Sequence, residues 1–396
     1  MSPLKISWKS ILSKPLSSAL NILLVAFGAG ILTVLLLASS QVIEKLNNNS
    51  KGIDLVIGAK GSPLQLILSS IYYIDFPTGN ISLAEAEKVI HHPWVKRAVP
   101  LALGDNYHGI RIVGTDTNFV KLYALKVSKG RFWERDFEVT IGSKVAEEQQ
   151  LSVGDHFYGA HGLTGSKDIH KDHAYHVAGI LEQQNNVTDH LILTNIASVW
   201  RMHDHKDEIH DQHHQEEKEI TTVLIQYRSP MAVVLFPRLV NQSTNLQTAS
   251  PAAESTRLFS LIGVGLDTLQ WFAMLIMLIA AISVFVNLYN SLKERSYDLA
   301  IMRVLGASRM KLFLIVIMEG MMISFTGALL GIALGHVLLE WIGLYQDSSH
   351  TKLSGFFIIP EEGWLIFGGL AIGFCASIIP ALQAYKTNIS MILAKN

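Results

Sequence analysis

Histidine is the residue type this chain concentrates. Sixteen occur in 396 residues, and fourteen of them lie between His91 and His214. The densest stretch, Met202 to Glu217, holds His203, His205, His210, His213 and His214 among Asp204, Asp207, Glu208, Asp211, Glu216 and Glu217. On a helix, His210, His213, His214 and Glu217 would share one face at i, i+3, i+4 and i+7. Three imidazoles and a carboxylate make a donor set suited to a borderline divalent ion such as zinc. Two other readings fit the same composition: a solvated polar loop, or a group of imidazoles that charge together as pH falls through about 6.5. A second group, His170, His173 and His176 with His161 nearby, stands just before a strand-like run.

Other residues that could do chemistry are sparse. Glu319 stands seven residues into a long apolar run, where a carboxylate marks a function or a specific contact. It sits roughly 10 Å from the start of that run at about 1.5 Å per residue, and this depth favours a structural or coupling contact over a proton relay. Gly58-Ala59-Lys60-Gly61 sets a lysine among glycines. The spacing G-x-x-x-x-G-K-[ST] is absent, so these glycines are read as turn residues at a strand end. The sequence has no nucleophile elbow, no H-E-x-x-H pair and a single cysteine, Cys375. An enzyme is therefore not expected, no cofactor is intrinsic, and any energy source is a partner.

The elements that position these residues are set by the membrane. The chain is 49% hydrophobic and 16% charged, and the two kinds of residue are segregated. A span needs about 20 apolar residues, and Leu20–Ser40, Leu269–Leu288, Leu312–Leu339 and Trp364–Leu382 qualify. The first is longer than a signal-peptide core and has no clear small-residue cleavage site after it, so it is read as retained. Lys5, Lys9 and Lys14 precede it; Lys293, Arg295, Arg303, Arg309 and Lys311 lie between the second and third runs; Lys386 and Lys395 follow the fourth. The third loop has only Lys352 against Glu340, Asp347, Glu361 and Glu362. Basic residues stay on the cytoplasmic side, so both termini are expected there. The expected layout is an amphipathic N-terminal segment (1–19), a span (20–40), an external domain (41–265) with a His-rich insertion (202–217), and spans at 266–290, 312–339 and 364–383. Between them lie a cytoplasmic loop (291–311) and an external loop (340–363), with a cytoplasmic tail (384–396) at the end. Gly327, Gly331 and Gly335 form a small-residue face for close helix approach, with Gly369 and Gly373 as the expected complement.

The external segment alternates strand and helix signals, which predicts an α+β domain inserted into a four-helix membrane domain. Strand composition recurs at 52–58, 110–114, 139–142, 176–181, 191–193 and 221–227. Ser82 with Glu85 predicts a capping box before a helix at 83–91. Residues 241–253 read as a polar linker, followed by a helix from Glu254 into the second span.

The cytoplasmic loop reads Lys293-Glu294-Arg295-Ser296-Tyr297-Asp298-Leu299-Ala300-Ile301-Met302-Arg303-Val304-Leu305-Gly306-Ala307-Ser308. Leu299, Met302 and Leu305 at helical spacing predict an amphipathic helix ended by Gly306. Its mixture of charged and apolar residues suits docking onto another protein. This loop resembles that of the FtsX-like, MacB-type permeases of ABC transporters, roughly K-E-R-x-x-E-I-x-I-L-R-A-L-G-A-S, with Asp298 in place of the usual glutamate. Ser10 to Leu16 resembles the family's amphipathic N-terminal helix. Gly114-Thr115-Asp116, Gly130-Arg131-Phe132, Val153-Gly154-Asp155 and Val177-Ala178-Gly179-Ile180-Leu181 resemble landmarks of its periplasmic core domain.

The resemblance implies a bacterial inner-membrane permease, working as a dimer with a second permease copy. It implies an ATP-hydrolysing cytoplasmic ABC ATPase partner, contacted through Lys293, Glu294, Arg295, Asp298, Arg303, Gly306 and Ala307. With 19 residues ahead of the first run, that ATPase is expected to be a separate chain. Work passes to the external domain, which could meet a periplasmic or outer-membrane partner. Lipoprotein, peptide and metal-related cargo all stay open, as does a non-transporting regulator of an external enzyme. The His-rich insertion falls where the family has only a short link. If it binds zinc, the external domain 41–265 binds the ion weakly at pH 7.5 and loses it below about pH 6.5, because only neutral imidazoles are ligands. Replacing His203, His205, His210, His213 and His214 by Ser removes most of the calorimetric signal and leaves the fold intact; no zinc heat from the wild type overturns the metal reading.

Overall fold

The computed structural model describes residues 2–161, 173–203, 218–345 and 353–386. The chain forms two compact units, one of Met1–Val42 with Ile262–Asn396 and one of Ile43–Leu261. Its helices begin with α1 (Pro3–Ser13) and α2 (Pro15–Asn49). Six short ones follow: α3 (Pro63–Ser70), α4 (Leu83–Ile90), α5 (Thr117–Leu122), α6 (Ser143–Glu148), α7 (Ile196–His203) and α8 (Ala232–Ser243). The last are α9 (Pro251–Glu294), α10 (Ser296–Val304), α11 (Arg309–Tyr345) and α12 (Glu362–Lys386).

Among the described residues, four helical stretches are long and apolar enough to cross a membrane: Pro15–Asn49, Gly263–Glu294, Arg309–Tyr345 and Glu362–Lys386. Each extends past the apolar run that announces it, because helical hydrogen bonding continues into polar flanks. Lipid is as apolar as leucine, so these helices gain from close contact rather than from burial. Close contact is what their glycines give. A Cβ on Gly327 would stand 2.7 Å from Val25 Cβ, one on Gly331 2.5 Å from the Ala26 carbonyl, and one on Gly335 2.7 Å from Thr33 Cβ. The 327–331–335 face therefore lies on α2, not on Gly369 and Gly373 as the sequence suggested. Those two meet a different stripe of α11: a Cβ on Gly369 would stand 2.7 Å from Ala328 Cβ, and one on Gly373 2.6 Å from the Gly320 carbonyl. One residue separates 327 from 328, and about 100° of helical rotation separates the two faces.

The second unit is built on a mixed sheet. Its strands are β1 (Leu55–Ala59), β2 (Ile81–Ser82), β3 (Val95–Tyr107), β4 (Ile110–Thr115), β5 (Val127–Gly130), β6 (Glu138–Ile141) and β7 (His156–Phe157). They continue with β8 (Ala160–His161), β9 (Tyr175–Leu181), β10 (Ile192–Asn195), β11 (Glu219–Ile220), β12 (Thr222–Tyr227) and β13 (Leu246–Ala249). The main order is β13-β1-β12-β3-β4-β10-β6-β9-β5, with β10·β4 and β6·β9 parallel and the other pairs on this path antiparallel. Alternation along the strands sends Val56, Leu101, Val113, Leu193 and Leu224 to a core shared with α3 and α5. Leu55, Ile57, Val223 and Ile225 face the other way, against α4 and α8.

Three local expectations change. The longest strand, β3, covers a stretch without a strand signal: Pro100 pairs in register with Val223, and Gly104 and Asp105 are taken up by a register shift between Leu103 and Asn106. The predicted 241–253 linker is instead the end of α8, strand β13 paired to β1, and the start of α9. The capping box does not form: Ser82 makes no side-chain cap, and Glu85 accepts a hydrogen bond from Asn245 N at 2.9 Å. Ser82 is committed to β2, which pairs with β11.

Gly331→Leu forces a side chain into the α2–α11 seam, whereas a Cβ on Gly368 meets nothing within 4 Å. The first variant should lose about 1–3 kcal/mol by overpacking and show a lowered melting temperature for the full chain in detergent. Gly368→Leu should match wild type, and equal melting of both variants would contradict this seam.

Candidate coupling site

The loop residues that the sequence singles out fold as a helical elbow. Helix α9 ends at Glu294, Arg295 leaves helical geometry at φ −98° and ψ 12°, and α10 restarts at Ser296. Leu299 and Ala300 seat α10 on the first unit. Gly306 takes φ +98°, a conformation that penalises any side chain. With it, Ala307 N donates to Met302 O at 2.9 Å and Gly306 N to Arg303 O at 3.1 Å, the paired bonds of a Schellman cap. Arg303 closes the same turn by donating to the Ala307 carbonyl at 3.1 Å. Its guanidinium thus has an internal partner, and the residue is half-buried.

Leu305 was expected beside Leu299 and Met302 on the apolar face. It is 81% exposed, because α10 ends one residue earlier and Leu305 belongs to the cap. It joins Tyr297, Ile301 and Val304 in an exposed stripe at i, i+4, i+7 and i+8. That spacing is present in the sequence beside the 299–302–305 series.

Beneath the elbow lies a cavity of about 480 Å³, lined by Lys9, Ser10, Arg295, Asp298, Met302 and Glu319 among others. Helix α11 starts at Arg309, so Glu319 is ten residues in, roughly 15 Å along the axis. Its carboxylate accepts a hydrogen bond from Ser10 Oγ at 2.5 Å. Ser10 Oγ in turn accepts from the Arg295 guanidinium, which also donates to Ser13 Oγ and to the Ser10 carbonyl. Lys14 pairs with Glu294, and Ser7 Oγ donates to the Ile315 carbonyl at 2.9 Å. Lys293 turns away from this group and stacks its ammonium over Tyr289, 4.9 Å from the ring centroid. The structure therefore brings Arg295 and Glu319 together through Ser10 of α1, ties Glu294 to Lys14 just after α1, and leaves Asp298 lining the cavity. Ser10 and Ser13 had no sequence signal, since serines are common in such helices.

The same helix, α1, turns its other face outward, with Leu4, Trp8 and Leu12 exposed at four-residue spacing. The polar serines point inward because carbonyls and Glu319 of α11 are there to meet them.

The histidine-rich residues give a different result. His205, His210, His213 and His214 lie outside the described residues, and His203 ends α7 without a described side chain. His156 and His176 sit on the paired strands β7 and β9, with ring centroids 4.2 Å apart. Among the described residues, no group of three or more His, Cys, Asp or Glu is placed to hold a metal ion.

The periplasmic-type landmarks prove to be backbone requirements. A Cβ on Gly130, at φ +75°, would stand 2.2 Å from the Ala178 carbonyl, and one on Gly179 2.2 Å from the Arg131 carbonyl. Arg131 forms a two-pronged pair with Glu138 at 2.8 and 2.6 Å. That hydrogen bonding holds the Glu138 carboxyl down at about 2. Asp116 caps α5 by accepting from Asn118 N at 2.9 Å, and burial raises its pKa.

Known families match both parts of the chain. The family described as FtsX-like permease C-terminal matches residues 271–389, and the MacB-like periplasmic core domain matches residues 18–235. The lipoprotein-releasing system transmembrane protein LolE of Haemophilus influenzae is 28% identical over 145 residues, 33% of this chain and 35% of that protein. The match thus spans about a third of that relative's length. Among solved structures, the periplasmic region of MacB from Actinobacillus actinomycetemcomitans is 11% identical with a TM-score of 0.35, covering 54% of this chain and 97% of that one. The extracellular domain of the transporter YknZ from Gram-positive bacteria is 14% identical with a TM-score of 0.31, covering 50% and 99%.

Proposed function

The chain belongs to the FtsX-like, MacB-type permeases of ABC transporters, and from that premise we propose that it couples a separate cytoplasmic ATPase to work done by its external domain. In this reading one span precedes that domain and three follow it, in the bacterial inner membrane, with both termini and the α9–α10 elbow in the cytoplasm. Two permease copies work together. A lipoprotein is the favoured cargo, supported by the similarity to LolE.

One observation carries the coupling role. α10 is seated on one face by Leu299 and Ala300, yet Tyr297, Ile301, Val304 and Leu305 remain exposed on the other. A contiguous apolar stripe beside charged residues on a soluble surface is the composition of an interface core. The Schellman cap fixes its end, so a partner meets a preformed surface and little ordering cost opposes docking. Behind the stripe, Arg295 and Ser10 connect the elbow to Glu319 of α11.

Val304→Glu with Leu305→Glu places two carboxylates in that stripe without touching the seated face. Loss of a central apolar anchor costs about 2 kcal/mol or more, roughly thirtyfold in affinity. The variant, reconstituted with its ATPase, should lose permease-dependent stimulation of ATP hydrolysis while its melting temperature stays near wild type. Arg303→Glu and Gly306→Pro should also lose that stimulation, the latter by destroying the cap. Undiminished stimulation in all three would reduce the elbow to a connector.

A further inference from the structure

At the other end of α11, His336 is held between two acceptors. Its Nδ1 is 2.5 Å from the Gly355 carbonyl, and its Nε2 is 3.1 Å from a Glu362 carboxylate oxygen. A carbonyl can only accept, so Nδ1 carries a proton. An ionised carboxylate also only accepts, so Nε2 must carry one too. A neutral ring has a single N–H and can satisfy one partner but not both.

Among the described residues, the side chains hydrogen-bonded to this pair and to the 353–361 segment are acidic or neutral. Glu362 is 8% exposed and takes a further hydrogen bond from Ile359 N at 3.2 Å. Glu340, one turn beyond His336 on α11, accepts from Gly355 N at 2.7 Å. Glu361 is the remaining titratable neighbour on this segment and is exposed. From α2 comes the neutral Gln41, which donates to Ser354 O at 2.7 Å and accepts from Ser354 N at 2.9 Å. Among the described residues, α11 has no Lys or Arg after Lys311, and the chain from 353 onward has none before Lys386. A carboxylate removed from water without a cation is costly. An imidazolium at His336 stands in direct contact with Glu362, Nε2 to carboxylate oxygen at 3.1 Å.

We propose that His336 and Glu362 form a proton-dependent latch that ties α11 and α12 to the 353–361 segment. The doubly protonated ring bridges Gly355 and Glu362 and neutralises the buried carboxylate. When the ring loses a proton, one of the two bonds is lost and Glu362 is left uncompensated. The latch therefore contributes stability while both ring nitrogens carry protons and loses it as the ring deprotonates at higher pH. In the orientation proposed above it stands at the external end of the membrane unit; the test in detergent does not depend on that orientation.

The test compares melting temperatures of the full chain in detergent from pH 6 to pH 9. Wild type should exceed His336→Asn by several degrees at pH 6, with the gap closing toward pH 9. Glu362→Gln can donate its amide N–H to a neutral ring that still donates to Gly355. This variant should gain on wild type as pH rises. Nitrogen-15 NMR of histidine-labelled wild type, with the His336 signals identified by their shift in Glu362→Gln, should show both ring nitrogens protonated at pH 6. A gap that is constant with pH, or a bare Nε2 at pH 6, would overturn the latch.

Discussion

A carboxylate part-way along an apolar helix needs partners, and at Glu319 they come from elsewhere in the chain. Ser10 of α1 donates to it directly, and Arg295, at the break between α9 and α10, donates to Ser10. Three elements far apart in sequence are thereby brought to one point of α11. Charge-assisted hydrogen bonds are stronger than neutral ones, and leaving one member unanswered beside apolar helices costs more than the bond itself contributes. Arg295 N still donates to Ser291 O at 3.1 Å, so the guanidinium leaves from the end of α9, and beyond it α10 turns to seat Leu299 and Ala300.

The rest of the membrane unit obeys a different constraint, contact at van der Waals distance between backbones. Gly327, Gly331 and Gly335 of α11 admit α2, and Gly320 of α11 meets Gly373 of α12 backbone to backbone. The two kinds of constraint divide the length of α11. Its glycine-bearing middle is packed on α2 and α12 with Thr33, Ser324 and Ser377 as its small polar residues, while its ends hold ionisable clusters, Glu319 at one and His336 with Glu340 at the other. The ends are the places where a change of charge or a partner can act, because packing alone does not fix them.

Much of this was legible in the residues. The four apolar runs, the Gly306 turn and several strands are local signals: hydrophobic length, a residue that tolerates positive φ, and β-branched composition. Glu319 was visible as an exception to its surroundings. What escaped depends on distant partners. β3 contains Pro100 and Gly104 and is a strand because β12 and β4 flank it. The capping box at Ser82 loses to a two-residue strand pairing. Ser10 looked like one serine among several, and only the fold sets it between Arg295 and Glu319. The glycine face meets α2 rather than α12 for the same reason, since spacing says which residues share a face but not what faces them.

The account turns on the Arg295–Ser10–Glu319 relay acting as one unit that joins the elbow to α11. A double-mutant cycle on the full chain in detergent tests it most directly, with Arg295→Ala, Glu319→Ala and the pair compared by denaturant or thermal unfolding. If the relay is a unit, each single change already breaks it, and the double variant falls short of the sum by about 1 kcal/mol or more. Strict additivity of the two changes would mean that the elbow and α11 are held independently, and would contradict the account.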